Sequence, residues 1–273
     1  MKQSWQDIYF PTAHEEAAWE IFHENSKSSQ YNVAMTEEQA AAYVPQLTQT
    51  LSFEPYPVVK LPEKLAVLDV PLAQVIQQRA TSSRLERRPL SLEDLATILY
   101  CAYGINRDSE ESGVQRSLRT VPSAGALYPL EIFLHTWSVE ELPPGLYHYN
   151  PLRHELRQLS AGDQTIRIAS ALVHKYLAVT TSVIFLIGAM FERTIGKYGD
   201  RGYRFVLLEA GHLAQNLNLA ATGLGLGCIN IGGYFDRQID AMLGFDGLLQ
   251  STIYMVGLGG IPEVAAESSV EQP

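Results

Sequence analysis

Residues 202–232, GYRFVLLEAGHLAQNLNLAATGLGLGCINIG, run from a long helical pattern through spaced glycines into a strand. Residues 202–222 carry few charges, which predicts a long helix buried on most sides. Gly223, Gly225 and Gly227 invite comparison with a dinucleotide-binding loop. The third glycine of GxGxxG falls on Cys228, however. The order is also reversed, because a Rossmann site needs strand, glycine loop, then helix. The glycines therefore read as a helix C-terminal turn packed close to its neighbours.

Working outward, the remaining elements mix helix and strand without strict alternation. Ser91–Tyr103 predicts a helix, with Ser91 as N-cap, Glu93 and Asp94 in the first turn, and Leu92, Leu95, Leu99 and Ala102 on one face. Residues 15–23, 35–44, 71–80, 164–177 and 236–243 also read as helices. Strands are expected at EIFLHTW (131–137), SVIFLIGAM (182–190), CINIG (228–232) and STIYMVGLG (251–259). GLYHY (145–149) and ELRQL (155–159) read as a hairpin around Asn150-Pro151-Leu152. This pattern favours an α+β fold, a helix-flanked sheet, over a doubly wound one. Residues 24–64, with PYPVVKLPEK (55–64), read as an extended arm or linker, and three regions are expected: an N-terminal arm over residues 1–62, a main domain over 63–262, and an acidic tail over 263–273.

Bulk properties narrow the function. The chain has 273 residues, 46% apolar and 18% charged, an ordinary globular composition. A net charge of −10 leaves no global basic field for nucleic acid or an anionic membrane. Two cysteines, Cys101 and Cys228, form no CxxC pair, so a disulfide framework is not expected and a reducing cytoplasm is the simplest location. The start, MKQSWQDIYF, lacks an apolar h-region, and the apolar run from Val183 to Met190 is too short to span a bilayer. Seven scattered histidines give no HExxH pairing, so no metal site is expected. Ser123 sits in VPSAG, where Val121 and Pro122 are incompatible with a nucleophile elbow.

Three segments suit a planar cofactor that bears a phosphate. In QQRATSSR (77–84), Arg79 and Arg84 offer guanidinium forks, and Thr81 and Ser83 offer hydroxyls. In RTVPSAGALYPLEIFL (119–134), Pro122, Ser123, Ala124 and Gly125 form a bare loop open to a flat ring. In AATGLGLGCINIGGYFD (220–236), Asn230, Ile231, Gly232 and Gly233 extend such a surface. Each segment taken alone reads more readily as a solvated turn, a tight loop or close packing.

Together with PPGLYHYNP, KYGDRGYRFVLLEAGHLAQNLNLAA and GLGLGCINIGG, these segments occur in the order seen in SagB-type dehydrogenases. The chain resembles that group, the nitroreductase-like azoline oxidases of thiazole- and oxazole-containing peptide pathways, over about residues 65–262. FHENSK (22–27) also resembles its N-terminal extension. The resemblance implies a mostly antiparallel sheet flanked by helices, in an intertwined homodimer with FMN at the subunit interface. It places Arg79 and the hydroxyls beside it at the phosphate, and Pro122–Gly125 and Asn230–Gly233 along the isoalloxazine. It makes Lys197-Tyr198 the catalytic pair, in either order of roles. Gly196 and Gly199 bracket that pair, which suggests a turn. The phosphate turn departs from the family's RRSxR: Ala80, Thr81 and Ser83 replace its second Arg, its Ser and its last Arg, with Arg84 one position along. The basic residue that related enzymes bring from the C-terminus is also missing, since no Lys or Arg follows Arg237.

The implied reaction is dehydrogenation of an azoline in a modified peptide, with oxygen reoxidising the flavin and a cyclodehydratase as possible partner. Two rivals stand beside it: an NAD(P)H-dependent reductase of small electrophiles, and a non-catalytic partner subunit. Arg201, Tyr203 and Arg204 either hold a peptide carboxylate or steady the long helix, for instance by ion pairs with Glu209.

Overall fold

Strand β4 (Leu130–Thr136), buried along its whole length, is the middle strand of the main sheet. The computed structural model describes residues 17–28, 35–111 and 114–262. In chain order, an arm carries α1 (Ala18–Asn25), α2 (Glu37–Tyr43) and a short 3-10 turn at Val44–Gln46. Then come β1 (Val58–Lys60), α3 (Leu72–Gln78), α4 (Leu92–Tyr103) and the β2 (Ile105–Glu111)–β3 (Val114–Arg119) hairpin. After β4 follow β5 (Gly145–Asn150), β6 (Glu155–Ala161), α5 (Thr165–Ala171), α6 (Leu177–Thr180) and β7 (Val183–Met190). The chain continues through α7 (Glu192–Tyr198), α8 (Arg201–Gly223), β8 (Gly227–Ile231), α9 (Asp236–Leu243) and β9 (Gln250–Gly259).

Seven strands form one sheet in the order β1-β6-β5-β4-β7-β9-β8, and every neighbouring pair is antiparallel. Alternate side chains of β4 feed opposite cores, as the two-residue period of a strand requires. Leu130, Ile132 and Leu134 pack with Leu95 and Leu99 of α4 and Leu213 and Leu217 of α8. Phe133 packs with Ile168 of α5, Leu177 of α6 and Ile239 of α9. With helices on both faces, β7 can be apolar throughout, which is why VIFLIGAM shows no alternation.

The architecture is the α+β arrangement read from the sequence, with local differences. PVVK, read as arm, supplies an edge strand paired with Glu155–Arg157. The helix expected over 164–177 breaks at Leu172, where Leu172 bridges Tyr234 and the Val173 amide donates to Gly233 O at 2.9 Å. Long-range backbone pairing outweighs local helix propensity there. The polar β2–β3 hairpin has no apolar alternation to announce it. The tail at 263–273 lies outside the described residues, as do residues 1–16 and 29–34 of the arm.

Candidate active site

The loop between β3 and β4 is held from all sides in a conformation that most residues avoid. Gly125, Ala126 and Tyr128 have φ of 63°, 52° and 45°. Positive φ is costly for residues with a Cβ, and such strain persists only where the surroundings over-determine it. Here they do. The Tyr128 amide donates to Ser123 Oγ at 2.9 Å, and Arg116 Nη1 donates to Gly125 O at 2.7 Å. Arg193 Nη1 donates to Tyr128 O at 3.1 Å, and the Tyr128 hydroxyl accepts the Arg119 amide at 2.9 Å. The Arg119 guanidinium lies 4.2 Å from the Tyr103 ring and 4.8 Å from the Tyr128 ring.

Helix α7 ends against this loop. A Cβ on Gly125 would lie 2.6 Å from the Tyr198 hydroxyl and 3.0 Å from Lys197 Nζ. Glycine therefore serves twice, adopting the left-handed backbone and admitting both functional groups to one point. The pair does not sit in a free turn. It forms the last two residues of α7, which Gly199 terminates with its amide on Ile195 O at 2.7 Å. Neighbouring residues on a helix point some 100° apart, yet at a helix end both reach a loop that crosses it. The Tyr198 ring meets Phe205 of α8 edge-on at 5.0 Å.

Two buried glutamates flank this corner and behave oppositely. Burial alone would raise the Glu131 carboxyl. Arg193 Nη2 at 2.6 Å, His148 Nε2 at 2.7 Å, the Thr50 hydroxyl at 2.9 Å and the Leu51 amide at 2.8 Å overcome it and hold the carboxyl at about 2. Glu209 on α8 has weaker company. Burial dominates and lifts it to about 7, although the Ser123 and Tyr103 hydroxyls hydrogen-bond it, Tyr103 at 2.6 Å. The expected ion pairing of Glu209 with Arg201 or Arg204 is corrected: those arginines reach the arm instead. Arg204 Nε donates to Ser26 Oγ at 2.7 Å, and Arg201 Nη1 donates to Ser26 O at 3.2 Å.

The second group of expected residues gathers at the other end of α8. Arg79 caps α3, and the turn beyond it adds a backbone rung to β8: Thr81 bridges Cys228 and the Ser82 amide donates to Cys228 O at 2.9 Å. Asn230 lies exposed on β8, its Oδ1 accepting from Asn218 Nδ2 of α8 at 2.8 Å. Among the described residues, the side chains of Arg79, Thr81, Ser83 and Arg84 make no hydrogen bond within the protein. A Cβ on Gly232 would meet nothing within 4 Å. A cation, free hydroxyls and an open backbone surface on one edge fit a phosphate-bearing planar group. The structure thus brings Lys197 and Tyr198 to Gly125, and the turn after Arg79 to Cys228, on the strand that also carries Asn230. Within one chain it does not join the two sets. Glu209 and Asn218, which back them, are nine residues apart on α8, about 14 Å along its axis.

The helix itself corrects an expectation. It is not buried on most sides: Tyr203, Leu207 and Leu208 (59% exposed) form an open apolar patch near its start. Arg116, Arg119, Glu131, Arg193 and Tyr103 were not singled out in the sequence. A lone acid in the apolar strand EIFLHTW and a lone base after SVIFLIGAM were the available signal, because buried charges come paired.

The nitroreductase family model matches residues 76–260. This chain belongs to the nitroreductase family. It is 35% identical over 185 residues to the Methanocaldococcus jannaschii protein "Putative nitroreductase MJ1384", covering 68% of this chain and 88% of that one. It is 32% identical over 177 residues to the microcin B17-processing protein McbC of Escherichia coli, and it spans only 59% of that protein's length. In three dimensions it is similar to a chain of the E. coli microcin synthetase McbBCD complex with truncated pro-MccB17 bound, with a TM-score of 0.57, 24% identity, and 89% of this chain and 87% of that one covered. Among the described residues, no helix is long and apolar enough to cross a membrane, and no cluster of three or more His, Cys, Asp or Glu could hold a metal ion.

Proposed function

We propose that the chain is an FMN-dependent azoline oxidase that dehydrogenates thiazoline or oxazoline rings in a ribosomal peptide, acting as a homodimer. The observation that carries this reading is the convergence of Lys197 and Tyr198 on Gly125. Dehydrogenation of an azoline removes a proton from Cα and a hydride from the neighbouring carbon. Tyr198 or Lys197 takes the proton, and the other orients the ring. The over-determined loop fixes where that transfer happens. Arg79, Thr81, Ser83 and Arg84 hold the phosphate, and Pro122–Gly125 and Asn230–Gly233 line the ring system. FMN, when bound there, supplies a two-electron acceptor for the hydride, which molecular oxygen restores.

The two sets lie apart along α8, and Leu207 and Leu208 near its start are exposed. Both features support a site completed by a second copy of the chain. The likeness to McbC supports a peptide substrate, and assembly with a cyclodehydratase in the cytoplasm belongs to the same proposal.

The test is a mass-resolved assay on a thiazoline peptide. Lys197→Ala and Tyr198→Phe should each lower turnover at least about 100-fold with flavin content retained. Unchanged turnover would sink the assignment. A second reading, reduction of small electrophiles by NAD(P)H, is favoured by the 35% identity to the archaeal protein. Rapid bleaching of bound flavin by NAD(P)H, without peptide oxidation, would select it.

A further inference from the structure

The arm folds back onto the corner that carries Lys197 and Tyr198. The Tyr43 hydroxyl donates to Glu192 O, at the start of α7, at 2.8 Å. Its ring lies across Gly196, where any Cβ would overlap the Tyr43 hydroxyl and ring. Gly196, immediately before the functional pair, is thus the gap through which the arm grips the helix. Further along the arm, Thr50 and Leu51 hydrogen-bond Glu131, the same carboxylate that holds Arg193 one helical turn before Lys197. Gln49 O accepts from Arg119 Nη2 at 2.6 Å, beneath the strained loop. Val44, Pro45 and Leu47–Gln49 also line a cavity of about 180 Å³ with Arg116 and Ala126–Tyr128. At the arm's start, Ser26 and His23 bind Arg204, and Phe22 meets Tyr203 edge-on at 5.4 Å.

These contacts fall on α7, the start of α8, the Gly125 loop and the strand residues Arg116, Arg119 and Glu131 on either side of that loop, the pieces whose relative placement sets the pair. We propose that Tyr43 is a positioning residue: seated on Gly196, it holds α7 so that Lys197 and Tyr198 meet Gly125, which makes the arm part of the catalytic apparatus. The inference rests on the azoline oxidase reading for its effect on turnover, and on geometry alone for its effect on the helix. A seven-residue helix is marginal without tertiary support, so removing its clamp loosens it selectively. The flavin-facing residues on the β8 edge lie at the far end of α8 and keep their own contacts.

The experiment uses the full chain loaded with FMN and a synthetic peptide bearing one thiazoline. Flavin absorbance per chain, kcat and KM, and hydrogen exchange across residues 192–200 are measured together. Tyr43→Ala should lower kcat about 10- to 100-fold, the range expected for a small misplacement of reacting groups. KM should move less than about two-fold on the same argument, with flavin content unchanged and exchange at 192–200 faster. Tyr43→Phe, which keeps the ring on Gly196 and loses one hydrogen bond, should fall between wild type and Tyr43→Ala. Gly196→Ala should mimic Tyr43→Ala, and the double variant should be no worse than the worse single one, because both break one contact. Wild-type kcat in Tyr43→Ala overturns the proposal, as does a fall in kcat with no change of exchange at 192–200. If the wild-type chain leaves the peptide unchanged, the activity reading fails. Exchange then decides alone: faster exchange in Tyr43→Ala supports the clamp, and unchanged exchange overturns it.

Discussion

The corner at Gly125 and the edge at Arg79 are built in opposite ways. At the corner, polar groups are buried, bonded several times over and braced against a strained loop. At the edge, a guanidinium and hydroxyls have no hydrogen-bond partner among the described residues, near a glycine with open space above it. The difference teaches which half stands alone. On the proposed function, the groups that act on a reacting atom are fixed by the chain itself, whereas the groups that hold the phosphate are left free to be satisfied by it. On the proposed function, cofactor affinity resides at the edge, and breaking a buried pair at the corner costs stability.

The largest expected effect breaks the corner. Arg193→Met strips Glu131 of its guanidinium and leaves a buried carboxylate short of charge. Removing one partner of a buried pair costs about 3–5 kcal/mol. A denaturant melt should show that loss. Stability within about 0.5 kcal/mol of wild type, typical of a surface change, would mean that the corner is not where stability resides.

A smaller effect sharpens the comparison within the corner, through its two glutamates. Glu131 is held near 2, so the unfolded chain binds the extra proton between pH 2 and 4.5. Its contribution is present above about pH 4.5 and is lost as pH falls towards 2. Glu209 is raised to about 7, so the folded chain holds the extra proton between pH 4.5 and 7. Stability should fall as pH rises through that window. Glu209→Gln, neutral at every pH, should flatten that fall and gain on the order of 1–3 kcal/mol over wild type above pH 7. Parallel stability curves for the two proteins between pH 4.5 and 7 would refute the contrast.

The two regions also differed in how well the sequence announced them. The edge was legible because its ingredients are contiguous: RATSSR and INIGG carry their chemistry in one turn each, and a nearby strand aligns them. The loop at PSAG was legible for the same reason. The corner's bracing was not, because Glu131, Arg193, Arg119 and Glu209 are far apart in sequence and meet only through tertiary packing. The position of Lys197-Tyr198 at a helix end was missed because Gly196 weakens the local helix signal, and the contact with Tyr43 that requires glycine there comes from residues 149 or more positions away. The fold class and long elements such as Leu92–Tyr103 followed from patterning. The β2–β3 hairpin, mostly polar, did not.

We propose that the open edge of one copy holds FMN against the corner of a second copy that carries Lys197 and Tyr198. The most direct test is the visible absorption spectrum of the purified chain and of its Arg79→Gln variant, each titrated with FMN, with mass analysis of any cofactor released on denaturation. The account predicts flavin bands that release FMN from the wild-type chain, and binding weakened at least about ten-fold in Arg79→Gln, as expected for losing a charge-assisted phosphate contact. A colourless wild-type chain that also refuses added FMN would contradict it, and would make the altered phosphate turn the mark of a non-catalytic partner subunit.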